Sequence, residues 1–191
     1  MIQVFKNGGI VLFPTDTLYG LGVDALNPEA IRKLKELKGR DEKKPVSVIV
    51  ADMAMAAAYA DVTPLAARLA EKFLPGKLTL VLTAKPNLPE ELTAGTGTIG
   101  IRMPKHVLCL NLARELGRPI TATSANVAGE ESERSVPDIL AQFGERAGMI
   151  GKIIDVGELP ESKPSTVVDA RGEKPVILRD GAISKEAIAA A

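Results

Sequence analysis

Short aliphatic runs alternate along this chain with stretches of helical periodicity, and this alternation constrains its fold more than any other feature. A run of four to eight mostly apolar residues between turn signals is typical of a buried strand. The predicted strands are Ile10–Phe13, Val46–Ala51, Leu78–Thr83, Thr98–Met103, Pro119–Ala122, Ile153–Val156, Thr166–Asp169 and Val176–Arg179. Because the last third is strand-rich, the order is not a clean βαβ repeat. We therefore predict an α/β (α+β) fold in which a twisted mixed β-sheet carries helices on its faces.

Capping residues place the helices between these strands. Asn27 precedes Pro28 at the start of an apolar stripe that ends near Gly39, which is the pattern of a capped helix. The other predicted helices are 54–60, one that starts at Thr63-Pro64, His106–Leu116, one capped by Ser135 and a short last one capped by Ser184. Since no repeat or low-complexity linker divides the chain, we expect a single domain over residues 1–191.

Composition excludes several classes of protein. The 24 basic and 24 acidic residues cancel, so overall charge indicates neither a nucleic-acid nor a membrane partner. Aromatic residues make up 3% and Trp is absent, so aliphatic side chains must build the core. The single cysteine, Cys109, cannot form an internal disulfide. No signal peptide or bilayer-spanning run is evident, and we expect a soluble, cytoplasmic protein without a membrane partner.

Several motifs and residue types that commonly indicate a functional site give only weak evidence here. The segment Gly95 to Gly100 matches the dinucleotide-binding pattern G-x-G-x-x-G, but a strand follows it where a helix should stand. No phosphate-binding P-loop is present. His106, the only histidine, is expected to be exposed at a helix start, and Cys109 has the apolar neighbours of a core residue. Histidine, cysteine and zinc chemistry are therefore disfavoured.

Polar segments stand where the predicted elements end. Residues 14–22, PTDTLYGLG, follow a buried strand, where α/β folds often bind ligands, although an ordinary capped turn has the same composition. Lys38-Gly39-Arg40 follows a helix, where cations complement the helix dipole and are also suited to clamping phosphates. Both interpretations remain open at each segment.

Two more segments extend this pattern. Thr98, Gly100 and Arg102 share one face of a strand, and a guanidinium on such a face suits a carboxylate ligand. Residues 121–126, TATSAN, form either a polar turn at a ligand site or an ordinary Asx turn. Residues 163–166, KPST, and Arg179 complete the set, and a cation that ends an apolar run needs a partner. Together the segments predict polar strand ends that converge on one cleft.

Seven segments occur in one order over nearly the whole chain: PTDTLYGLG, KGR, PGKLTLVL, TIGIRMP, TSAN, PSTVVD and LRDG. This ordered set resembles the threonylcarbamoyl-AMP synthase family, the YrdC/Sua5-like proteins, in a single-domain short form. The resemblance implies a YrdC-like sheet around a cationic cleft. It also implies a nucleotidyltransferase that converts L-threonine, bicarbonate and ATP to threonylcarbamoyl-AMP and pyrophosphate, which supplies the t⁶A modification of tRNA position 37.

The resemblance also implies roles for individual residues. Lys38 and Arg40 would be the catalytic residues and would hold the ATP phosphates. Thr98, Ser124, Ser132 and Arg179 would complete the ATP site. L-Threonine would be bound by Thr15, Arg102, Ala122 and Ser165, with Arg102 on its carboxylate, and Asn126 would line the same pocket. No protein ligand for a metal is implied, so Mg²⁺ would arrive with ATP.

The sequence departs from the family pattern at a few positions. Asp41 and Asp180 stand where proline is frequent, and Gly129 stands where serine is common. The extra C-terminal domain of the longer members is not expected. Contact with tRNA and with a tRNA threonylcarbamoyl-transferase complex would follow from the family role.

Two alternatives remain at the level of sequence. One is an RNA-binding module of the same fold, which the scarcity of aromatic side chains disfavours. The other is an adenylating enzyme with a different substrate. One such chemistry is the carbamoyl adenylation of hydrogenase maturation proteins, whose much longer chains argue against it.

Overall fold

Ten strands and eight α-helices make up the computed structural model, which describes residues 1–191. In chain order the strands are β1 (Ile10–Pro14), β2 (Tyr19–Gly22), β3 (Ser47–Ile49), β4 (Ala60–Asp61), β5 (Leu78–Ala84), β6 (Thr98–Arg102), β7 (Ile120–Ser124), β8 (Ile150–Ile153), β9 (Thr166–Asp169) and β10 (Val176–Arg179). The helices are α1 (Ile2–Lys6), α2 (Pro28–Lys38), α3 (Met53–Tyr59), α4 (Pro64–Phe73), α5 (Glu90–Thr93), α6 (Val107–Leu116), α7 (Val136–Phe143) and α8 (Lys185–Ala189), and a 3-10 turn spans Gly144–Met149.

All ten strands belong to one mixed sheet. Its order is β10-β9-β5-β6-β3-β7-β2-β1-β8, and β4 pairs with β5 beside this path. The pairs β1/β8, β3/β6 and β5/β9 are parallel, and the remaining neighbours are antiparallel. The predicted fold, a mixed sheet flanked by helices, is therefore confirmed.

Two apolar layers hold the sheet between its helices. The larger layer receives the buried stripes of α2, α4 and α7, for example Leu34, Leu69 and Ile139. The smaller layer lies on the opposite face, where α1 and α6 bury Phe5 and Leu112. Burial of aliphatic stripes of this kind is the main source of stability in layered folds.

The predicted helix caps are confirmed. The Asn27 side chain accepts a hydrogen bond from the Ala30 N–H (3.1 Å), and Thr63 accepts one from Ala66 (3.0 Å). Ser135 and Ser184 cap α7 and α8 in the same way. Each cap satisfies a backbone donor that the helix itself leaves free.

The structure corrects one predicted strand and settles the structure of two segments that the sequence left open. The strand predicted at Ile153–Val156 is wrong in its bounds: β8 pairs with β1 from Ile150, and the Val156 N–H turns out of the sheet to the Tyr19 hydroxyl (3.0 Å). Part of the polar segment 14–22 is a strand, β2, where Gly22 leaves room for the Phe13 ring. Strand β6 starts at Thr98, inside the G-x-G-x-x-G match, so that match is not a dinucleotide-binding turn.

The two residues set aside as weak catalytic candidates behave differently. Cys109 is fully buried in the smaller apolar layer, as predicted. His106, which we expected to be exposed, is half-buried at the N-cap of α6, and its Nδ1 lacks a hydrogen-bond partner. The reason is that α6 packs against the sheet only one turn further on.

Cys109 should resist thiol reagents in the folded protein. Its side chain is buried, and burial raises the pKa of the Cys109 thiol to about 12. At pH 8 the thiol is therefore protonated, and only a thiolate attacks a disulfide reagent. We expect no release of thionitrobenzoate from Ellman's reagent at pH 8 until denaturant is added, and then one equivalent. Stoichiometric labelling of the native protein within minutes would contradict the buried placement.

Helices of this fold are short or amphipathic, and none has the length and apolar character needed to cross a bilayer.

Candidate active site

A cavity of about 660 Å³ opens where polar segments meet at the ends of the central strands. We call it the central cleft. Its volume falls in the range of pockets that bind small molecules and cofactors. Three arginines line it, together with many hydroxyls and two glutamates. The polar lining residues are Thr15, Thr17, Tyr19, Arg40, Ser47, Thr79, Arg102, Thr123, Ser124, Glu130, Glu131, Ser132, Ser162, Ser165 and Arg179.

Most of the residues predicted for the site lie in this cleft, and three do not. Those that line it are Thr15, Arg40, Arg102, Ala122, Ser124, Ser132, Ser165 and Arg179. Lys38, Thr98 and Asn126 are not lining residues. The predicted convergence of the polar segments is therefore a property of the fold, while the role of each residue stays a prediction.

Arg102 stands at the end of β6 with its side chain largely buried. Its Nη2 donates to Asp16 Oδ1 (2.7 Å) and to Thr17 Oγ1 (2.7 Å). Its Nε is buried and has no hydrogen-bond partner. A buried donor without a partner costs about 1–3 kcal/mol, so the Arg102 guanidinium is incompletely satisfied by the protein alone.

The other two arginines reach the cleft from different elements. Arg40, just after α2, donates through Nη2 to the Pro45 carbonyl (2.8 Å), and its buried Nε also lacks a partner. Arg179, at the end of β10, donates to the Ser165 carbonyl (2.7 Å) and hydroxyl (3.2 Å). Desolvation lowers the pKa of both guanidiniums, and the charge of Arg102 adds to the effect on Arg179. The cleft is therefore a place where positive charge is concentrated and incompletely paired.

Lys38 lies beneath the cleft rather than in it. Its side chain is 2% exposed, and its Nζ donates to the carbonyls of Ser124 and Asn126 and, at 3.3 Å, to Asn126 Oδ1. Burial, followed by the charge of Arg40, lowers the pKa of Lys38 to about 7. All three of these acceptors lie in the 124–126 turn, so a phosphate contact would require the Lys38 side chain to change partners, and that contact stays a prediction.

Asn126 belongs to the same turn. Its Nδ2 donates to the carbonyls of Val127 (2.9 Å) and Glu130 (2.7 Å), and its Oδ1 also accepts from the Ser124 hydroxyl. These bonds shape the turn that presents Ser124 to the cleft. Lys38 and Asn126 thus both hydrogen-bond within the turn that carries Ser124.

Thr98 occupies the predicted face of β6 but the wrong end of the strand. Gly100 on that face lies against the Ser47 side chain, and Arg102 reaches the cleft. Thr98 is four residues away from Arg102, or roughly 13 Å along an extended strand. Its hydroxyl shares a hydrogen bond with Thr96 (2.9 Å), outside the cleft. The structure therefore does not bring the predicted ATP contact of Thr98 to the site.

Sequence reasoning missed several residues of the site. Thr79 on β5 lies in the cleft and shares a hydrogen bond with the Ser165 hydroxyl (2.9 Å). Tyr19 donates to the Gly157 carbonyl (2.8 Å) and so fixes the segment that leads to Ser165. Asp16 pairs with Arg102 without lining the cleft. Thr79 and Asp16 both lie within the quoted motifs, but nothing in their spacing shows which way their side chains point.

Potential metal ligands are few in and around the central cleft. No group of three or more histidine, cysteine, aspartate or glutamate side chains is arranged to hold an ion. Two carboxylates, Glu130 and Glu131, line the cleft beside its hydroxyls and guanidiniums, and Mg²⁺ prefers carboxylates, phosphates and water. That Mg²⁺ arrives with ATP stays a prediction.

Comparison with known proteins gives the family. A family model for Sua5, YciO and YrdC proteins, described as telomere recombination, matches residues 3–181. The chain belongs to the Sua5/YciO/YrdC family. A relative from Methanocaldococcus jannaschii is 38% identical over 183 residues, which are 96% of this chain and 84% of that protein.

Longer family members match as well. The threonylcarbamoyl-AMP synthase of Bacillus subtilis is 40% identical over 189 residues, covering 98% of this chain. The present chain spans about half of that relative, 54% of its length. The matched region covers nearly the whole chain, including the segments that form the central cleft.

Solved structures of the Sua5/YciO/YrdC family have the same fold. Pyrococcus abyssi Sua5 complexed with L-threonine aligns with a TM-score of 0.89 and 38% identity, over 98% of this chain and 54% of that one. Escherichia coli YciO aligns with a TM-score of 0.86 and 26% identity, over 98% and 90% of the two chains. The sheet order described above is therefore the family fold.

Proposed function

We propose that this protein is an L-threonylcarbamoyladenylate synthase, a nucleotidyltransferase that acts on L-threonine, bicarbonate and ATP. The observation that carries the proposal is the meeting of three guanidiniums in one cleft, two of which have a buried Nε without a partner. Such a cleft suits two anionic substrates that would otherwise repel each other. The name of the B. subtilis relative and the threonine bound to P. abyssi Sua5 support this choice of substrates.

The proposed reaction balances as two steps. The amine of threonine combines with bicarbonate to form a carbamate and water. A carbamate oxygen then attacks the α-phosphorus of ATP, the bond to the β-phosphate oxygen breaks, and pyrophosphate leaves. No covalent enzyme intermediate is needed, so positioning and charge stabilisation carry the catalysis.

The residues of the central cleft divide between the two substrates. Arg102, with Thr15 and the Ser165 segment nearby, would bind the carboxylate of threonine. Arg40, Arg179, Ser124 and Ser132 would bind the nucleotide, with the guanidiniums on its phosphates. Lys38 would act indirectly, through the turn that holds Ser124. As pyrophosphate departs, its growing charge would be taken up by Arg40 and Arg179.

The family role gives the place of this reaction in the cell. The adenylate would be passed to a tRNA threonylcarbamoyl-transferase complex for the t⁶A modification of tRNA position 37. ATP and tRNA meet in the cytoplasm, where we place the protein. A direct contact with tRNA would add affinity but is not required by the chemistry.

Pyrophosphate release tests the proposal. Purified protein is incubated with ATP, Mg²⁺ and bicarbonate, with and without L-threonine. Release that requires both threonine and bicarbonate is the expected result. Release without dependence on threonine would show an adenylating enzyme with another substrate. If no release occurs, salt-dependent RNA binding without ATP would favour the RNA-binding module instead.

We expect Mg²⁺ to be required for the reaction, as part of the substrate MgATP, and not for folding. We propose that Mg²⁺ enters as MgATP, because no group of three or more histidine, cysteine, aspartate or glutamate side chains is arranged to hold an ion. Dialysis against EDTA should leave the melting temperature within about 1 °C, since no folding energy depends on a bound ion. The same dialysis should abolish pyrophosphate release, and added Mg²⁺ should restore it fully. A large drop in melting temperature after EDTA would contradict this assignment.

A further inference from the structure

Asp16 links two turns at the edge of the central cleft. It follows β1, and its side chain is 7% exposed. Its Oδ1 accepts from Arg102 Nη2 (2.7 Å), and its Oδ2 accepts from the backbone N–H of Lys105 (2.9 Å). Both carboxylate oxygens are therefore held in place. One is bound by the Arg102 guanidinium and the other by the backbone just after Arg102.

We propose that Asp16 is a positioning residue that holds the Arg102 guanidinium in the orientation that receives the substrate carboxylate. This inference rests on the proposed function, in which Arg102 binds the carboxylate of threonine. Asp16 does not line the cleft, so it would act through Arg102 and not by touching substrate.

The hydrogen bonds of Arg102 explain why such a residue is needed. Both hydrogens of its Nη2 have partners, Asp16 on one side and the Thr17 hydroxyl on the other. The plane of the guanidinium is set by these two bonds, and the buried Nε is left as a donor without a partner. A free arginine side chain would sample many rotamers, and ordering it on binding would reduce affinity.

A purely electrostatic role and a positioning role for Asp16 predict opposite changes in the binding of threonine when Asp16 is replaced. If Asp16 only neutralised Arg102, its removal would leave a stronger positive charge and tighter binding of a carboxylate. If Asp16 positions Arg102, its removal weakens binding despite the gain in charge. The sign of the change therefore separates the two roles.

Asp16→Asn is the sharpest substitution for this test. Asparagine keeps the shape but has one oxygen, so its NH₂ group must face a donor, either Arg102 or the Lys105 N–H. We expect the KM for L-threonine to rise on the order of 10- to 100-fold, as misplacement of a binding group does. The KM for ATP should change less than about threefold, and kcat at saturating threonine should stay near that of the wild type, because a loss of ground-state binding raises KM alone.

Asp24→Asn is a matched control. The Asp24 side chain is also 7% exposed, and it likewise accepts from an arginine, Arg118 Nη1 (3.2 Å), and from a backbone N–H, that of Leu26 (2.9 Å). Asp24 and Arg118 do not line the cleft. Both variants lose the same kind of buried carboxylate, so a shared drop in melting temperature reports stability alone. Only D16N should change the KM for threonine.

A crystal structure of D16N completes the test without relying on activity. The expected result is an Arg102 guanidinium displaced from Thr17, together with the rise in KM for threonine. An unmoved guanidinium, an unchanged or lowered KM, or an equal change in D24N would each overturn the proposal. If the wild-type protein releases no pyrophosphate with threonine, the proposed function fails, and the position of Arg102 in the D16N crystal still decides whether Asp16 holds it.

Discussion

Replacing Arg102 with alanine should lower kcat/KM for L-threonine by on the order of 10²- to 10³-fold, corresponding to about 3–4 kcal/mol. Two effects add up in this variant. The substrate carboxylate loses its charged donor, and the buried Asp16 carboxylate loses its partner and then repels the incoming anion. The KM for ATP should change by less than about fivefold, because other cleft residues would hold the nucleotide. Steady-state pyrophosphate release, with one substrate varied while the other saturates, measures both values.

Two further variants show whether the loss of kcat/KM for threonine comes from the missing charge or from the missing donor geometry of Arg102. Arg102→Lys keeps the charge but loses the planar set of donors, so its kcat/KM should lie between those of alanine and wild type. Arg118→Ala removes an arginine that pairs with an aspartate outside the cleft and should leave both substrates unaffected. Equal, small losses for ATP and threonine in R102A would show that Arg102 has no preference for the carboxylate.

Local patterns in the sequence were sufficient to predict most elements of the fold. Asn27, Thr63, Ser135 and Ser184 start helices where their side-chain chemistry predicts. The period of β6 likewise places Gly100 and Arg102 on one face. These features depend on residues a few positions apart, which is the range over which periodicity and capping act.

Contacts between distant segments could not be predicted in this way. Asp16 and Arg102 are 86 residues apart, and Tyr19 lies 138 residues from the Gly157 carbonyl that it binds. Lys38 illustrates the difficulty, because a lysine in the last turn of a helix is usually exposed. Its burial follows from the packing of the 124–126 turn over α2, which no local pattern encodes. Thr98 lies on the predicted face of β6, but the position of the cleft along the strand depends on neighbouring strands.

Lys38→Met should reduce kcat/KM for ATP by about 10- to 100-fold, although Lys38 does not line the cleft. The carbonyls of Ser124 and Asn126 lose the ammonium that binds both. Buried acceptors without a donor cost about 1–3 kcal/mol, so the turn should relax and move Ser124 in the nucleotide part of the cleft. Lys43→Met, which removes an exposed charge from the same region, is the control and should retain wild-type kinetics.

The same variant should also alter the dependence of stability on pH. The pKa of Lys38 is about 7 in the folded protein and has a model-compound value of 10.5. Between these values the unfolded chain binds a proton that the folded protein does not, so the lysine makes stability rise with pH, by at most about 1.4 kcal/mol per pH unit. Below pH 7 Lys38 is protonated in both the folded and the unfolded state, so the folded protein bears the full free-energy cost of burying the ammonium. Urea denaturation at pH 6.5, 8 and 9.5 should therefore show the free energy of unfolding of wild type increasing relative to that of K38M. A constant difference across this window would mean that Lys38 stays protonated, held by its three oxygen acceptors, and acts only as a fixed cation beneath the turn.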